Sequence, residues 1–242
     1  MRLIKPDHGR TLALAGVPGP VRRPVDIDQS QTGHTALRTL RIYRFDAESV
    51  IDGHAEEDEV FIVVLAGSAE LSMSSERWPG SRSQFALVAA GSADAPCAAY
   101  LPPHAAYRLI PRGDAEVAYA RATPVSGRPP EVFTVHPRVN AAGSTVLLDA
   151  GTYAERLRLR LLRIDAQAAA VAVPLVPPSA AMCEALVHLR TTPTRGAATV
   201  MARGAAATSL DSWDTVAVAP GESPTLQVAT GSSALAVMTM AV

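Results

Sequence analysis

The chain of 242 residues carries 22 Lys and Arg against 23 Asp and Glu, so its formal net charge is −1. This balance leaves no basic surface for nucleic acid, and prolines 174, 177 and 178 interrupt the most apolar stretch, so we expect neither nucleic-acid binding nor a membrane span. Two cysteines are too few for a disulfide framework, and we expect a soluble protein of the cytoplasm.

Short β-type segments follow one another along the chain. They are rich in Val, Ile, Leu, Tyr and Thr, and clusters of Gly, Pro, Ser and Asp separate them, which is typical of an all-β sandwich or barrel. The 19 prolines and 16 glycines suffice to separate this many strands. In chain order the predicted strands lie within residues 39–45, 59–67, 83–90, 98–103, 107–111, 116–122, 158–164, 215–220, 225–230 and 234–242.

The sequence contains an internal repeat. Residues 40–48 read LRIYRFDAE and residues 159–167 read LRLLRIDAQ, an offset of 159 − 40 = 119. The segments AEVAYARA at 115–122 and ALAVMTMA at 234–241 share that offset, since 234 − 115 = 119. A constant offset in separated strands indicates a duplicated β domain. We predict an N-terminal domain over residues 1–124, a linker over 125–144 and a C-terminal domain over 145–242.

The order of the segments is more informative than any one of them. In the first half they are TGHTALRTLRIYRF, EDEVFIVVLAGSAEL and YLPPHAAYRL, and in the second AERLRLRLLRIDA, CEALVHLR and DSWDTVAVAPGESPTLQV. This order resembles the cupin pattern, and the chain is similar to the 5-deoxy-glucuronate isomerase family of inositol catabolism. The resemblance implies a bicupin, that is, an all-β protein of two tandem antiparallel jelly-roll β-barrels, and a sugar-acid isomerase of the aldose–ketose type.

The same resemblance implies a divalent metal in the second barrel, and there the sequence departs from the family. The turn Pro177–Pro178 is followed by SAAM without histidine, and Ala185 stands at the position of the expected glutamate. The later expected histidine falls at Ser223 or Pro224. Since these side chains cannot replace imidazole and carboxylate ligands, we predict no metal cofactor.

The stretch DGHAEEDEVFIVVLAG at residues 52–67 offers an alternative metal site in the first barrel. Cupin spacing pairs His54 with Glu56, adds Glu59 from the strand and places Tyr107 fourth, with His104 three positions early. The set has too few imidazoles for a typical site. The simpler interpretation is a solvated acidic turn before a buried strand.

A barrel without its metal still has a concave mouth that could bind a small molecule. For catalysis we predict His54, Glu59 and Tyr107, because imidazole exchanges protons near neutral pH while Glu and Tyr orient a hydroxylated ligand. The candidate substrate-binding residues are Arg41, Tyr43, His104, Arg160, Glu184 and His188.

Three functions stay open. The first is a 5-deoxy-glucuronate isomerase or close relative that works without metal. The second is a metal-free isomerase, epimerase or cyclase for another small molecule in a more apolar pocket. The third is a non-catalytic cupin that binds a small ligand. In each case the partner is a small molecule, and sheet edges could support a homodimer.

Overall fold

Antiparallel sheets dominate the computed structural model, which describes residues 1–46, 48–78, 83–90, 95–124, 127–141, 143–150, 153–154, 156–193, 196–202 and 206–242. Within these residues the helical elements are a single-turn helix α1 (Gln29–Thr32), capped by Asp28, and a 3₁₀ turn (Pro178–Ala180). No helix in this part of the chain is long and apolar enough to span a bilayer. The predicted all-β class is confirmed.

The first half of the chain forms two sheets. The larger has seven strands in the order β12-β9-β6-β11-β4-β3-β2, and the smaller has four in the order β5-β10-β7-β8. The strands are β2 (Thr11–Ala13), β3 (Pro20–Asp28), β4 (Leu37–Phe45), β5 (Ile51–His54), β6 (Glu59–Ala66), β7 (Ser68–Ser74), β8 (Ser83–Val88), β9 (Pro96–Leu101), β10 (Ala106–Pro111), β11 (Ala115–Ala122) and β12 (Glu131–Thr134).

The second half repeats this arrangement. Its seven-stranded sheet has the order β1-β20-β17-β22-β15-β14-β13, and its four-stranded sheet the order β16-β21-β18-β19. The strands are β1 (Arg2–Ile4), β13 (Arg138–Ala141), β14 (Ser144–Asp149), β15 (Leu157–Ala166), β16 (Val171–Pro174), β17 (Glu184–Thr192), β18 (Ala198–Met201), β19 (Thr208–Leu210), β20 (Thr215–Val218), β21 (Thr225–Val228) and β22 (Ser232–Ala241).

Two features of the pairing bear on the predicted domain limits. Strand β1, at the start of the chain, pairs with β20 in the second half. The segment predicted as linker contains β12, which pairs with β9 of the first half, and β13, which pairs with β14 of the second. Residues 125, 126 and 142 of that linker lie outside the described residues. The limits themselves stay a prediction.

Three apolar cores hold the sheets together, and β6 shows how one strand serves two of them. Successive side chains of a strand point to opposite faces. Val60, Ile62 and Val64 pack in the interior of the first half, while Phe61 and Val63 join a central core shared by the two halves. Burial of both faces explains why this strand reads as a continuous apolar run rather than an alternating one.

Candidate functional site

The interior of the first half opens into a cavity of about 200 Å³, which we call the first cup. Its polar wall includes the side chains of Arg41, Tyr43, Tyr107, Tyr119 and Arg121. Leu14, Phe45, Ile51 and Val60 form its apolar wall. Three phenols and two guanidinium groups over an apolar floor can bind an anion and donate protons or hydrogen bonds to it.

Two phenols of the first cup, those of Tyr107 and Tyr119, are neutral hydrogen-bonding groups. The rings of Tyr107 and Tyr119 lie 6.2 Å apart between centroids, and burial, the main cause, raises the pKa of both. The ring of Tyr43 stands edge-on to that of Tyr119 at 5.4 Å between centroids. Because the pKa values of Tyr107 and Tyr119 lie above the ordinary 10.0, these two phenols keep their protons at neutral pH.

A glycine makes room for one of these phenols. Gly53 of β5 lies directly opposite Tyr107 of β10. A Cβ atom added at Gly53 would lie 2.4 Å from Cζ of Tyr107, closer than packed atoms come. The bare backbone at this position therefore lets the ring lie flat against β5, inside the cup.

One aspartate orients the guanidinium groups on one side of the cup. The carboxylate of Asp26, on β3, accepts from Nε of Arg41 at 3.0 Å and from Nη2 of Arg23 at 2.8 Å, and Arg10 also pairs with it. Arg23 in turn lies over the ring of Tyr43. Since three guanidinium groups share one carboxylate, this wall carries a surplus of positive charge that attracts an anionic ligand.

Arg121 lies on the opposite side of the first cup from Arg41 and Asp26. Its Nη2 donates to the carbonyl oxygens of His54 at 3.1 Å and Ala55 at 2.6 Å, and its Nε lies 3.5 Å from the carboxylate of Asp58. These contacts tie the end of β5 to β11. Arg121 therefore fixes the position of His54 as well as adding positive charge to the cup.

The two candidate histidines of the first half occupy different places. His54 ends β5 with an exposed side chain, and it borders both the first cup and a neighbouring surface cavity. It stands at the rim. His104 is exposed in the turn before β10, and its backbone N–H donates to the carbonyl of Glu56 at 2.6 Å. His104 is absent from the lining of the cup.

Glu59 does not join the cup, because its side chain lies on the opposite face of β6 from Val60. It is fully buried between the halves and accepts a hydrogen bond from the Tyr100 hydroxyl at 2.8 Å. It also accepts from the backbone N–H of Leu157 at 2.9 Å, at the start of β15. These contacts give Glu59 a structural role at the contact between the halves.

Glu184 makes the reciprocal contact from the second half. At the start of β17, its carboxylate accepts from the backbone N–H groups of Thr35, Ala36 and Leu37 at 2.6, 2.8 and 2.8 Å. Burial alone would raise its pKa, but these hydrogen bonds outweigh burial and lower it. Each half thus uses one glutamate to bind the strand start of the other, and neither glutamate faces a cup.

The remaining candidates lie in the second half. His188 is fully buried in the contact between the halves, where Nδ1 lies 3.1 Å from Oγ1 of Thr215 and the ring is edge-on to Trp213. Burial lowers its pKa to about 3, so the imidazole is neutral. Arg160 lies on the same face of β15 as the interior residue Leu162, and its Nε is 3.8 Å from the carboxylate of Asp149.

The described residues do not fit the divalent metal that the family resemblance implies. Ala185 is fully buried in the apolar interior of the second half, opposite Val218 and Met240. Among the described residues, no group of three or more His, Cys, Asp or Glu side chains could hold a metal ion. The arginines of the first cup are not substitutes, since a guanidinium has no lone pair to offer a cation.

Two of the phenol and guanidinium side chains that line the cup were not predicted from the sequence. Tyr119 and Arg121 lie on β11, where Tyr119 is directly opposite Arg41 and Arg121 is opposite Thr39. Both stand within the segment AEVAYARA that revealed the repeat. Alternation along that segment, combined with the antiparallel pairing to β4, would have identified them.

The comparisons with known proteins agree with this architecture. Residues 19–144 match the model of the KduI/IolB family. A solved IolB-like protein of Salmonella typhimurium has a TM-score of 0.68 at 18% identity, over 91% of this chain and 89% of that one. An oxalate decarboxylase of Lactobacillus farciminis has a TM-score of 0.70 at 8% identity, over 99% and 85%. No curated protein matches the chain. At these identities the structures show the fold alone, and the predicted bicupin fold is confirmed.

Proposed function

The chain belongs to the KduI/IolB family, and from this premise we propose that it is a sugar-acid isomerase-like cupin whose reaction takes place in the first cup. The observation that carries the proposal is the meeting of Arg41, Arg121 and the phenols of Tyr107 and Tyr119 around one cavity. An acid that also bears hydroxyl and carbonyl groups matches this combination of charge and donors.

We assign substrate anchoring to the guanidinium groups. Arg41 is held by Asp26 and faces the cup, so its charge is oriented before a ligand arrives. A carboxylate bound there is paired with a guanidinium in a partly dry site, where such pairs are stronger than in water. The apolar floor suits a deoxygenated carbon of the substrate, and we propose 5-deoxy-glucuronate.

We assign the proton transfers to the phenols and to His54. In an aldose–ketose isomerisation, a base removes a proton from the hydroxyl-bearing carbon beside the carbonyl and returns it to the former carbonyl carbon. At the same time the hydroxyl oxygen on that neighbouring carbon loses a proton, and the carbonyl oxygen gains one. The Tyr107–Tyr119 pair is neutral, so it can donate to the carbonyl oxygen. His54 at the rim is the proposed base, since an imidazole nitrogen has a lone pair that can accept a proton from the substrate.

We further propose that this isomerisation is independent of a metal ion and that the protein is a cytoplasmic homodimer of inositol catabolism. The lack of fit between the described residues and a divalent cation supports the first part. The electrophilic assistance that a metal would supply falls to the hydrogen bonds of the phenols and to the charge of Arg121.

Turnover of 5-deoxy-glucuronate, followed by chromatography of the keto product, tests the proposal. We expect turnover that survives EDTA, a large loss of kcat in Tyr107→Phe and a rise of KM in Arg41→Gln. Arg163→Gln is the matched control, because Arg163 of β15 is exposed, pairs with Asp165 and does not line the first cup. Turnover that EDTA abolishes would contradict metal independence, and wild-type turnover in Tyr107→Phe would contradict the assignment of the cup.

One observation favours a second candidate, a cupin that binds a small ligand without converting it. Among the described residues that line the first cup, the only carboxylate is that of Asp52, and it is paired with Arg108 at 2.7 Å on the exposed face of the small sheet. The cup thus has no carboxylate base of its own. Stabilisation of the protein by sugar acids in a thermal-shift titration, with no product formed, would favour this candidate.

A further inference from the structure

The two large sheets end together along one side of the molecule. Strand β15 lies against β6, and both β17 and β22 lie against β4. Strand β6 is third from the β12 end of its sheet, and β15 is third from the β13 end of the other. Strands β12 and β13 are therefore end strands on the same side, and each pairs with a described strand along one edge alone. We call the surface between them, residues 131–134 and 138–141, the β12–β13 groove.

The β12–β13 groove contains a cavity of about 650 Å³. The rings of Phe133 and Tyr153 meet edge-on in its wall, at 5.3 Å between centroids. The apolar part of the lining includes Val132, Phe133, Val146, Leu148 and Tyr153. A cavity of this size with a largely apolar lining can accept side chains of another molecule.

The chain covers the opposite side of the same two sheets with a longer connection. There the end strands are β1 and β2, and residues 5–10 join them. The backbone N–H of Asp7 donates to the carbonyl of Pro24 at 2.8 Å, and Nζ of Lys5 lies 2.7 Å from the carboxylate of Asp214. Residues 135–137 alone join β12 to β13, so the β12–β13 groove has a shorter cover of its own chain.

An exposed apolar side chain stands beside this cavity. Val139 of β13 is 85% exposed and lines the groove. Among the described residues, no other end strand of a sheet carries an exposed large apolar side chain. An apolar residue on an unpaired strand edge favours association with another chain. The same surface thus has an apolar projection and an apolar cavity, which is what a two-fold contact between identical copies requires.

The charges of the groove determine which two-fold arrangement is favourable. Glu131 of β12 and Arg138 of β13 are both exposed at the cavity, and neither forms an ion pair with a described residue. An axis that places each strand beside its own copy matches like charges. An axis that places β13 of one copy beside β12 of the other matches opposite charges, and it does so twice.

We propose that the β12–β13 groove is the contact between two copies of the chain, related by a two-fold axis that sets β13 of each copy beside β12 of the other. This inference rests on the homodimer of the proposed function and names its surface. Val139 of each copy enters the apolar cavity of the other, which removes both from water. Each Arg138 pairs with Glu131 of the other copy, which fixes the relative position of the two copies.

Sedimentation velocity of the intact protein over a dilution series tests this contact. We expect a dimer for the wild type. Val139→Asp, Glu131→Arg and Arg138→Glu should each raise its dissociation constant roughly tenfold or more, because each puts an unpaired or repelled charge into the contact. Met182→Asp is the matched control, since Met182 is another exposed apolar residue, at 73%, and does not line the groove. Circular dichroism melts verify that every variant is folded.

A mixture of the two charge variants identifies the arrangement. Glu131→Arg and Arg138→Glu dimerise weakly alone, but a mixed dimer contains two attractive pairs, so we expect the equimolar mixture to regain the dimer. Such rescue excludes misfolding of either variant as the cause of its weakness. A dimer that survives Val139→Asp, a mixture without rescue, or equal weakening by Met182→Asp would overturn the proposed contact and leave the homodimer standing. A monomeric wild type would overturn both, while turnover in the first cup is measured separately.

Discussion

Replacement of Glu184 by glutamine tests whether the reciprocal glutamates hold the two halves together. The carboxylate accepts hydrogen bonds from three consecutive backbone N–H groups, those of Thr35, Ala36 and Leu37, and from the Thr35 hydroxyl at 3.0 Å. In glutamine one of the two oxygens becomes an NH₂ group, a donor that faces N–H donors. Loss of two hydrogen bonds to a charged acceptor predicts destabilisation of about 3 kcal/mol or more.

For a chain of this length, that change corresponds to a fall in Tm of about 6–12 °C. Differential scanning calorimetry at pH 7 measures it, and Glu57→Gln in the exposed turn before β6 is the matched control. The pKa of Glu184 is lowered from its ordinary value of 4.5, so its contribution is present above that pH and is lost as the pH falls through the folded-state pKa. The difference in Tm between wild type and Glu184→Gln should therefore shrink in acid.

A Tm for Glu184→Gln within about 1 °C of wild type, which would correspond to less than 0.5 kcal/mol, would refute the reasoning. An undiminished difference at pH 3 would refute the pH argument alone. Glu59→Gln provides a second test from the other half, since Glu59 accepts from Leu157 N–H and from the Tyr100 hydroxyl. We expect a loss of the same sign.

Three further outcomes follow from the first cup and the central core. Gly53→Ala should displace the Tyr107 ring by steric overlap and reduce binding of sugar acids in calorimetric titrations, whereas Gly9→Ala, which meets only Asp7 at 3.5 Å, should not. Phe61→Ala, fully buried in the central core, should destabilise the protein by about 3–5 kcal/mol in urea unfolding. Ultraviolet titration should show Tyr107 ionising above its ordinary pKa of 10.0, and stability should fall above that pH because the phenol ionises first in the unfolded chain.

The sequence predicted the fold class through the spacing of its β segments, because strand alternation and the repeat offset are local or periodic signals. It also indicated Arg41, Tyr43 and Tyr107, which the structure brings together in one cavity. It placed Glu59 on the face of β6 opposite Val60 but could not say which face looks into the cup. That depends on which sheet packs on which face, a long-range property.

The role of Glu184 was hidden for a related reason. A carboxylate at a strand start looks the same in the sequence whether it faces a ligand or the backbone of a distant segment. Its partners at Thr35, Ala36 and Leu37 lie far earlier in the chain, and only the packing of the two halves brings them near.

The position of β1 determines the order in which the second half is completed during synthesis. Arg2, Leu3 and Ile4 are made before every other strand of their sheet, yet they pair with Ala217, Val216 and Thr215 of β20, which follows β13, β14, β15 and β17 in the chain. Strand β1 therefore stays without its partner strand until β20 has been made. Its apolar residues are then exposed to other nascent chains for longer than those of any other strand of that sheet.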